Sequence, residues 1–149
     1  MRPIFLSFAL LIFQQPTVTV PEADIRAIND QLNLYAQRMH DKQEDAVLAS
    51  YTKDATFVDP AGHHCTTPAQ LRQLYDTIFA TYDSDLHFNS PEIHLRGTAF
   101  HVSGTYTETL RDRKSGHTMH SHGTYNFTLR SFYDGRWSFS RMQWTGAIE

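Results

Sequence analysis

The sequence has 149 residues, a length that fits one globular domain and argues against two. It carries 13 basic and 16 acidic side chains and no run of basic residues, which argues against the phosphate-neutralising surface of a nucleic-acid-binding protein. Aromatic residues make up 13% of the chain, enough bulk for one compact core, which disfavours intrinsic disorder. The single cysteine excludes an intrachain disulfide.

The first 20 residues have the layout of a secretory signal peptide, with a basic start at Arg2, an apolar stretch over residues 4–13 and a polar exit. Ten residues rise about 15 Å as a helix, half of a bilayer core, so no stable membrane span is expected. The alternative is an apolar N-terminal strand or tail. We therefore expect a signal peptide at 1–20, a mature domain at 21–149 and a secreted or periplasmic protein.

Three helices are predicted before the main sheet. The first covers residues 21–40, and a short second one covers residues 44–51. Thr67 and Gln70 form a capping box that starts a third helix, which should end near residues 82–84. The first helix carries one apolar stripe at spacings of three and four, formed by Ile25, Ile28, Leu32, Tyr35 and Met39.

The second half of the chain changes to a period of two, as in strands with one apolar and one polar face. Two such runs, residues 100–107 and 119–130, flank a turn at 113–116 and pair with Gly104 opposite Tyr125. The element order predicts an α+β domain with three N-terminal helices packed on a curved antiparallel sheet. Further strands are predicted at residues 55–59, 91–96 and 137–144.

Asp59 is the first candidate for chemistry. It follows Phe57 by two residues in the predicted strand, so both side chains point to the same face. If Phe57 faces the core, the Asp59 carboxylate does so too, and desolvation would raise its pKa toward values useful in a general base. The alternative has Val58 facing inward and Asp59 capping the turn at Pro60.

Tyr35 is the second candidate, because its place in the apolar stripe buries the ring and leaves the hydroxyl in need of a partner. Within a pocket, a phenol can donate to a developing oxyanion. The alternative is a core tyrosine bonded to a backbone carbonyl.

The histidines are weaker candidates for a functional site than Asp59 and Tyr35. His120 and His122 lie two apart on the polar face of one strand, but two ligands without a third do not make a catalytic zinc site. Residues 63–65, His-His-Cys, either rim the pocket near Asp59 or form an exposed loop. No metal, nucleotide or flavin motif is present, so the sequence predicts cofactor-free chemistry.

The motif Y-x-x-D-A-x-F-x-D-P-x-G at residues 51–62 follows two helices and precedes a helix and a sheet. This arrangement resembles the nuclear transport factor 2-like superfamily over residues 21–146, and within it the SnoaL-like domains. The superfamily includes ketosteroid isomerase. The resemblance implies that Asp59 is a general base, Tyr35 an oxyanion-binding tyrosine and Trp144 a pocket-lining aromatic. It also implies a homodimer.

One departure separates the chain from the isomerase. The neutral carboxylic acid that the isomerase uses in its sheet corresponds to Phe127, and Asn126 should point to the opposite face. Steroid isomerisation itself is therefore not expected.

The predicted fold encloses a cone-shaped pocket for a small apolar or aromatic ligand. The favoured function is a cofactor-independent isomerase, cyclase or hydrolase-like enzyme in which Asp59 moves a proton or orients a water molecule and Tyr35 polarises the substrate. The rival hypothesis is a non-catalytic ligand-binding or dimerisation module. Glu108 and Ser121 share the apolar side of the hairpin and are expected at the pocket rim. The predicted lining consists of Tyr51, Phe57, Tyr75, Phe79, Tyr106, Tyr125, Phe127, Met142 and Trp144.

Overall fold

The computed structural model describes residues 18–149, so the predicted signal peptide lies almost wholly outside the described residues. Within residues 18–149 no helix is long and apolar enough to cross a bilayer. The described chain forms three helices, α1 (Glu22–His40), α2 (Glu44–Ala49) and α3 (Pro68–Thr81). Its strands are β1 (Tyr51–Val58), β2 (His64–Cys65), β3 (Tyr82–Arg96), β4 (Ala99–Asp112), β5 (Thr118–Ser131) and β6 (Trp137–Ile148).

The strands form one curved, open sheet in the order β2-β1-β6-β5-β4-β3, which confirms the predicted α+β class. The sheet is antiparallel as predicted, except that β1 pairs in parallel with β6. The reason is the long connection through α3 and the β3–β5 meander, which returns β6 beside β1 in the same direction.

The central hairpin has the predicted register. Gly104 lies opposite Tyr125, and Val102 lies opposite Phe127. Strand β3, in contrast, begins directly after α3, nine residues earlier than the predicted start at Pro91. The β3–β4 register shifts between Asn89 and Glu92, and such a shift accommodates a proline that cannot donate to the sheet.

The start of α3 and the buried side of α1 agree with the patterns in the sequence. The Thr67 side chain accepts a hydrogen bond from the Gln70 backbone N–H and so caps α3. In α1 the predicted apolar stripe is buried except at Ile25, which is 36% exposed. Helix α2 ends at Ala49, two residues before the predicted boundary, because Tyr51 already pairs with β6.

Lys42 ties the end of α1 to the end of α3. Its backbone φ of 56° is left-handed, which costs a residue with a side chain about 1 kcal/mol. Its ammonium group donates to the carbonyl oxygens of Phe79 at 3.1 Å and Tyr82 at 2.5 Å, and pairs with Asp83 at 2.9 Å. These bonds satisfy carbonyl groups that the helix end leaves free.

Two glycines allow a close crossing of β5 and β6, since Gly123 lies opposite Gly146. A Cβ atom on Gly123 would lie 2.6 Å from the Gly146 Cα atom and would clash with the Thr145 carbonyl oxygen. A Cβ atom on Gly146 would meet the Tyr106 hydroxyl at 2.9 Å. The absence of a side chain at Gly146 therefore leaves room for the Tyr106 hydroxyl, whereas its absence at Gly123 lets the two backbones approach closely.

Candidate active site

A cavity of about 220 Å³ lies between the helices and the concave face of the sheet. Its walls are mostly apolar, and a few polar side chains interrupt them. The lining residues are Tyr35, Met39, Phe57, Asp59, Pro60, Leu74, Tyr75, Ile78, Tyr82, Leu86, Tyr106, Glu108, Leu110, Ser121, Trp144 and Ile148.

Asp59 follows the last residue of β1, and its side chain is only 18% exposed. Its Oδ1 atom accepts a hydrogen bond of 2.8 Å from the His63 backbone N–H. Its Oδ2 atom lies 2.7 Å from Nδ1 of His63, whose side chain is 73% exposed. The carboxylate therefore closes the turn and lines the cavity at once, and the side chain buried beside it is that of Phe57 rather than Val58.

Tyr35 lies in a buried chain of three phenols. Its hydroxyl is 2.7 Å from that of Tyr75, which in turn is 2.5 Å from the hydroxyl of Tyr51. Tyr51 donates to the Met142 sulfur atom at 3.0 Å. Burial raises the pKa of each of the three phenols well above its usual value, which keeps the hydroxyls protonated.

The contact with Met142 determines which hydroxyl is the donor in each hydrogen bond between the three phenols. The thioether of Met142 has no proton, so Tyr51 is the donor there, and Tyr75 must then donate to Tyr51 and Tyr35 to Tyr75. A ligand oxygen beside Tyr35 can reverse the two bonds between phenols, at the cost of the weak contact from Tyr51 to the Met142 sulfur. Tyr35 would then donate into the cavity while accepting a bond from Tyr75.

Glu108 is a second carboxyl group in the lining; the sequence predicted it at the pocket rim but gave it no chemical role. Its Oε1 atom accepts a hydrogen bond of 2.6 Å from the Ser84 hydroxyl on the neighbouring strand. Burial raises the pKa of the Glu108 carboxyl, although the bond from Ser84 acts in the opposite direction. Nearby, the hydroxyls of Tyr106 and Ser121 lie 3.3 Å apart. The alternation of β4, which turns Tyr106 and Leu110 inward, was the available signal for Glu108.

The structure divides the predicted lining into two groups. Phe57, Tyr75, Tyr106 and Trp144 line the cavity. The other five side chains are buried in the core away from the cavity surface: Tyr51, Phe79, Tyr125, Phe127 and Met142. These five side chains were predicted to line the cavity and do not reach it, because neighbouring aromatic rings fill the space at the middle of the sheet.

Phe127 illustrates this packing. It is fully buried and lies against the rings of Phe88, Phe139 and Trp144 at centroid distances of 4.9–5.9 Å. Asn126 is exposed on the opposite face. Neither residue brings an acid to the cavity at the position where the isomerase has one.

The histidine pair lies on the outer face of the sheet. His120 and His122 are exposed and lie opposite Thr109 and Thr107, as the predicted register requires. Among residues 18–149, no three histidine, cysteine or acidic side chains are placed to hold a metal ion. Nothing in the described chain therefore adds a third ligand to the pair.

Cys65 is buried on the short edge strand β2. Burial and the negative charge of Asp59 both raise the pKa of its thiol. A protonated thiol is a poor nucleophile, so this position contributes no activated sulfur to the site.

Comparison with known protein families matches residues 22–143 to the SnoaL-like domain. The match covers most of the described chain, including α1, the Asp59 turn and the first half of β6, and it ends one residue before the lining residue Trp144. The chain belongs to the SnoaL-like domain family. Comparison with curated proteins gives no match.

Solved structures similar to this SnoaL-like protein share its fold at low sequence identity. A nuclear transport factor 2-like superfamily protein from Salmonella enterica serovar Typhimurium is 19% identical, with a TM-score of 0.72 over 83% of this chain and 91% of its own. A ketosteroid isomerase-like protein from Erwinia carotovora atroseptica is 18% identical, with a TM-score of 0.71 over 84% and 97%. A hexachlorocyclohexane dehydrochlorinase is 14% identical, with a TM-score of 0.74 over 85% and 88%.

Proposed function

We propose that this SnoaL-like protein is a cofactor-independent enzyme that moves a proton on a small apolar molecule, in an isomerisation, cyclisation or elimination. The observation that carries the proposal is the placement of the Asp59 carboxylate and the Tyr35 ring in the lining of one cavity. A base and a hydrogen-bond donor around one apolar site are the two groups that proton abstraction beside a carbonyl requires.

Asp59 is the base in this proposal. Two hydrogen bonds from His63 orient its carboxylate, and its low exposure keeps most bulk water away from it. The carboxylate takes a proton from a carbon atom of the ligand. In an isomerisation it returns that proton to another carbon, and in an elimination the proton leaves with the departing group.

Tyr35 stabilises the negative charge that develops on the ligand oxygen. It does so after the reversal of the phenol chain, when its own proton points to the ligand and the Tyr75 hydroxyl donates to it. Donors fixed before the reaction need little reorganisation as charge develops, which is the main source of their effect.

The size of the cavity favours a ligand of one or two rings. Its volume of about 220 Å³ is below the range of about 300–1,000 Å³ typical of small-molecule sites. A four-ring steroid is therefore a poor fit, in agreement with the missing acid at Phe127.

Two structural relatives support the class of reaction by their names alone. One is described as ketosteroid isomerase-like and the other as a dehydrochlorinase. Isomerisation of a ketone and loss of hydrogen chloride both include removal of a proton from carbon. These names support proton transfer in this fold and do not identify the ligand.

The proposal is tested with two small ketones as probes. In heavy water, proton magnetic resonance follows hydrogen–deuterium exchange of 2-tetralone and isomerisation of 3-cyclohexenone. We expect the purified protein to accelerate at least one reaction, and the Asp59→Asn variant to lose about 100-fold or more of that rate. Asp54→Asn, which alters an exposed carboxylate on the same strand, is the matched control.

Two outcomes speak against an enzyme of this kind. An unchanged rate in folded Asp59→Asn removes Asp59 from the mechanism. Binding of both ketones without any acceleration by the wild-type protein favours the rival function, a ligand-binding module.

We also propose that the protein is exported, from the pattern of its first 20 residues. Expression of the full sequence followed by mass spectrometry of the exported fraction tests this. A mature chain that begins near residue 21 supports export, and an intact N-terminus on a protein retained in the cell contradicts it.

A homodimer through the outer sheet face is a further proposal. Thr105, Thr107 and Thr124 present an exposed, uncharged surface there. Light scattering should give twice the chain mass, and Thr124→Arg should shift the protein to the monomer. A monomeric wild-type protein contradicts the proposal.

A further inference from the structure

Two carboxyl groups approach the cavity from different walls. Asp59 follows β1, whereas Glu108 lies on β4, and β6 and β5 separate these strands in the sheet. Asp59 is at the turn beside the exposed imidazole of His63. Glu108 is largely buried, and its described hydrogen-bond partner is an uncharged hydroxyl. The two acids therefore have unlike surroundings.

The charge of the lining restricts what the cavity accepts. Among the lining residues of the described chain, Asp59 and Glu108 are the acids, and none is lysine, arginine or histidine. An anionic ligand would meet two acids and no compensating cation. Such a ligand would also lose its hydration against mostly apolar walls, which is costly for an unpaired charge.

We propose that Glu108 is a ligand-binding group of this cavity, and that its carboxyl O–H donates a hydrogen bond to an uncharged ligand oxygen, a carbonyl or a hydroxyl. The inference rests on the proposed function and deepens it, because it names the chemical class of the ligand. It assigns to Glu108 a direct contact with ligand that no sequence motif indicated.

The hydrogen bonds of Glu108 carry this assignment. Ser84 donates to Oε1, so that oxygen acts as an acceptor and Oε2 is left to carry the proton. A neutral acid is the less costly form here, since the lining offers no cation to pair with a carboxylate. Burial raises the pKa of Glu108, which acts in the same direction.

The other titratable groups of the lining do not change this conclusion. The phenols of the lining are neutral when protonated, and Asp59 adds only negative charge when ionised; these phenols are Tyr35 from α1, Tyr75 from α3, Tyr82 from β3 and Tyr106 from β4. Each of these groups leaves the proton on Glu108 undisturbed or favours it. A neutral Glu108 can then donate a hydrogen bond, and an apolar ligand with one oxygen atom can accept it.

Three matched probes test the ligand class. Acetophenone is neutral, benzylammonium is a cation and benzoate is an anion, and all three carry the same ring. Calorimetric titration of the wild-type protein near neutral pH should give the tightest binding for acetophenone. Tightest binding of benzylammonium, lost in Glu108→Gln, would show an ionised Glu108 that pairs with cations and would overturn the proposal.

Two variants test the contact itself. Glu108→Gln retains a donor and should bind acetophenone within about twofold of the wild type. Glu108→Leu removes the donor and should weaken binding about tenfold. Glu92→Leu, at an exposed acid of β3, is the control and should change nothing. Unchanged acetophenone affinity in folded Glu108→Leu overturns the assignment.

A spectroscopic readout covers the case in which Glu108→Leu does not fold. The infrared carbonyl band of bound acetophenone should lie at lower frequency in the wild type than in Glu108→Gln, because a carboxylic acid is the stronger donor. Identical bands contradict the contact. These binding measurements need no turnover, so lost catalysis with intact binding contradicts the proposed function alone.

Discussion

The Asp59 carboxylate and His63 are joined twice, through the backbone N–H of His63 at 2.8 Å and through its Nδ1 atom at 2.7 Å. Both bonds fall within one short turn, from the end of β1 to the start of β2. The carboxylate that we propose as the base therefore owes its orientation to a residue four positions away, on the solvent side of the site.

Removal of the imidazole tests this relationship. His63→Ala keeps the backbone bond but loses the contact to Oδ2, so the carboxylate becomes less well oriented. A hydrogen bond to a charged group contributes about 1.5–3 kcal/mol, and we expect kcat for 2-tetralone exchange to fall about tenfold with little change in KM. The exposed neighbour His64→Ala is the control. Equal rates in both variants would show that the imidazole has no positioning role.

The middle phenol of the buried chain provides a second prediction. Tyr75→Phe removes the hydroxyl between Tyr35 and Tyr51, so Tyr35 can no longer receive a hydrogen bond while it donates to the ligand. We expect a fall of about tenfold in kcat and a loss of about 1 kcal/mol in the free energy of unfolding. Tyr133→Phe, at a fully exposed ring, should change neither quantity. A normal kcat in Tyr75→Phe would exclude this support of Tyr35.

Glu108 should make stability depend on pH. Its pKa is raised by burial above the ordinary 4.5, so the folded protein keeps a proton that the unfolded chain has lost. Stability from this group is complete below the ordinary value and is lost as the pH rises through the raised one. Glu108→Gln has no such loss and should gain stability relative to the wild type at higher pH.

Urea unfolding at a series of pH values measures this effect. The difference between Glu108→Gln and the wild type should grow as the pH rises from 4 through the window above 4.5. The exposed control Glu92→Gln should follow the wild type. A constant difference at all pH values would show that Glu108 titrates alike in the folded and unfolded chain.

The glycine crossing of β5 and β6 gives a stability prediction. The added Cβ atom of Gly123→Ala would meet the Thr145 carbonyl oxygen and the Gly146 Cα atom, and backbone atoms of a paired strand cannot move aside independently. We expect a loss of about 3 kcal/mol or more, measured by urea unfolding. Thr107→Ala, at an exposed position of the adjacent strand, should cost far less. A small loss for Gly123→Ala would mean that the two strands separate easily.

The register of the central hairpin could be predicted because two constraints agree. The apolar residues of β4 and β5 alternate over most of both strands, and the turn between them contains Gly116, so one pairing brings both apolar faces together. The start of β3 could not be predicted in this way, because its apolar residues do not alternate regularly. Pro91 and the polar residues before it interrupt the alternation, and the register shift that accommodates them appears only once β4 is beside them.

The site was predictable where a local rule applied. The alternation after Phe57 placed Asp59 toward the inside, and the helical stripe placed Tyr35 there. The partner of Tyr35 could not be predicted, because Tyr75 lies 40 residues away on another helix. The alternation of β4 also predicted that Glu108 points inward. The pattern of a single strand cannot show at which end of the sheet the cavity lies, because this depends on how the aromatic rings fill the middle of the sheet.

The attachment of α3 by Lys42 has a consequence for ligand choice. This helix supplies Leu74, Tyr75 and Ile78 to the cavity, and its last turn is hydrogen-bonded to Lys42, the second residue after α1, and continues without a loop into β3. A helix held at its end in this way cannot easily move outward. For the ligand that we propose, we therefore expect the position of α3 to set a fixed upper limit on molecular dimensions, which acts before any chemical group is recognised.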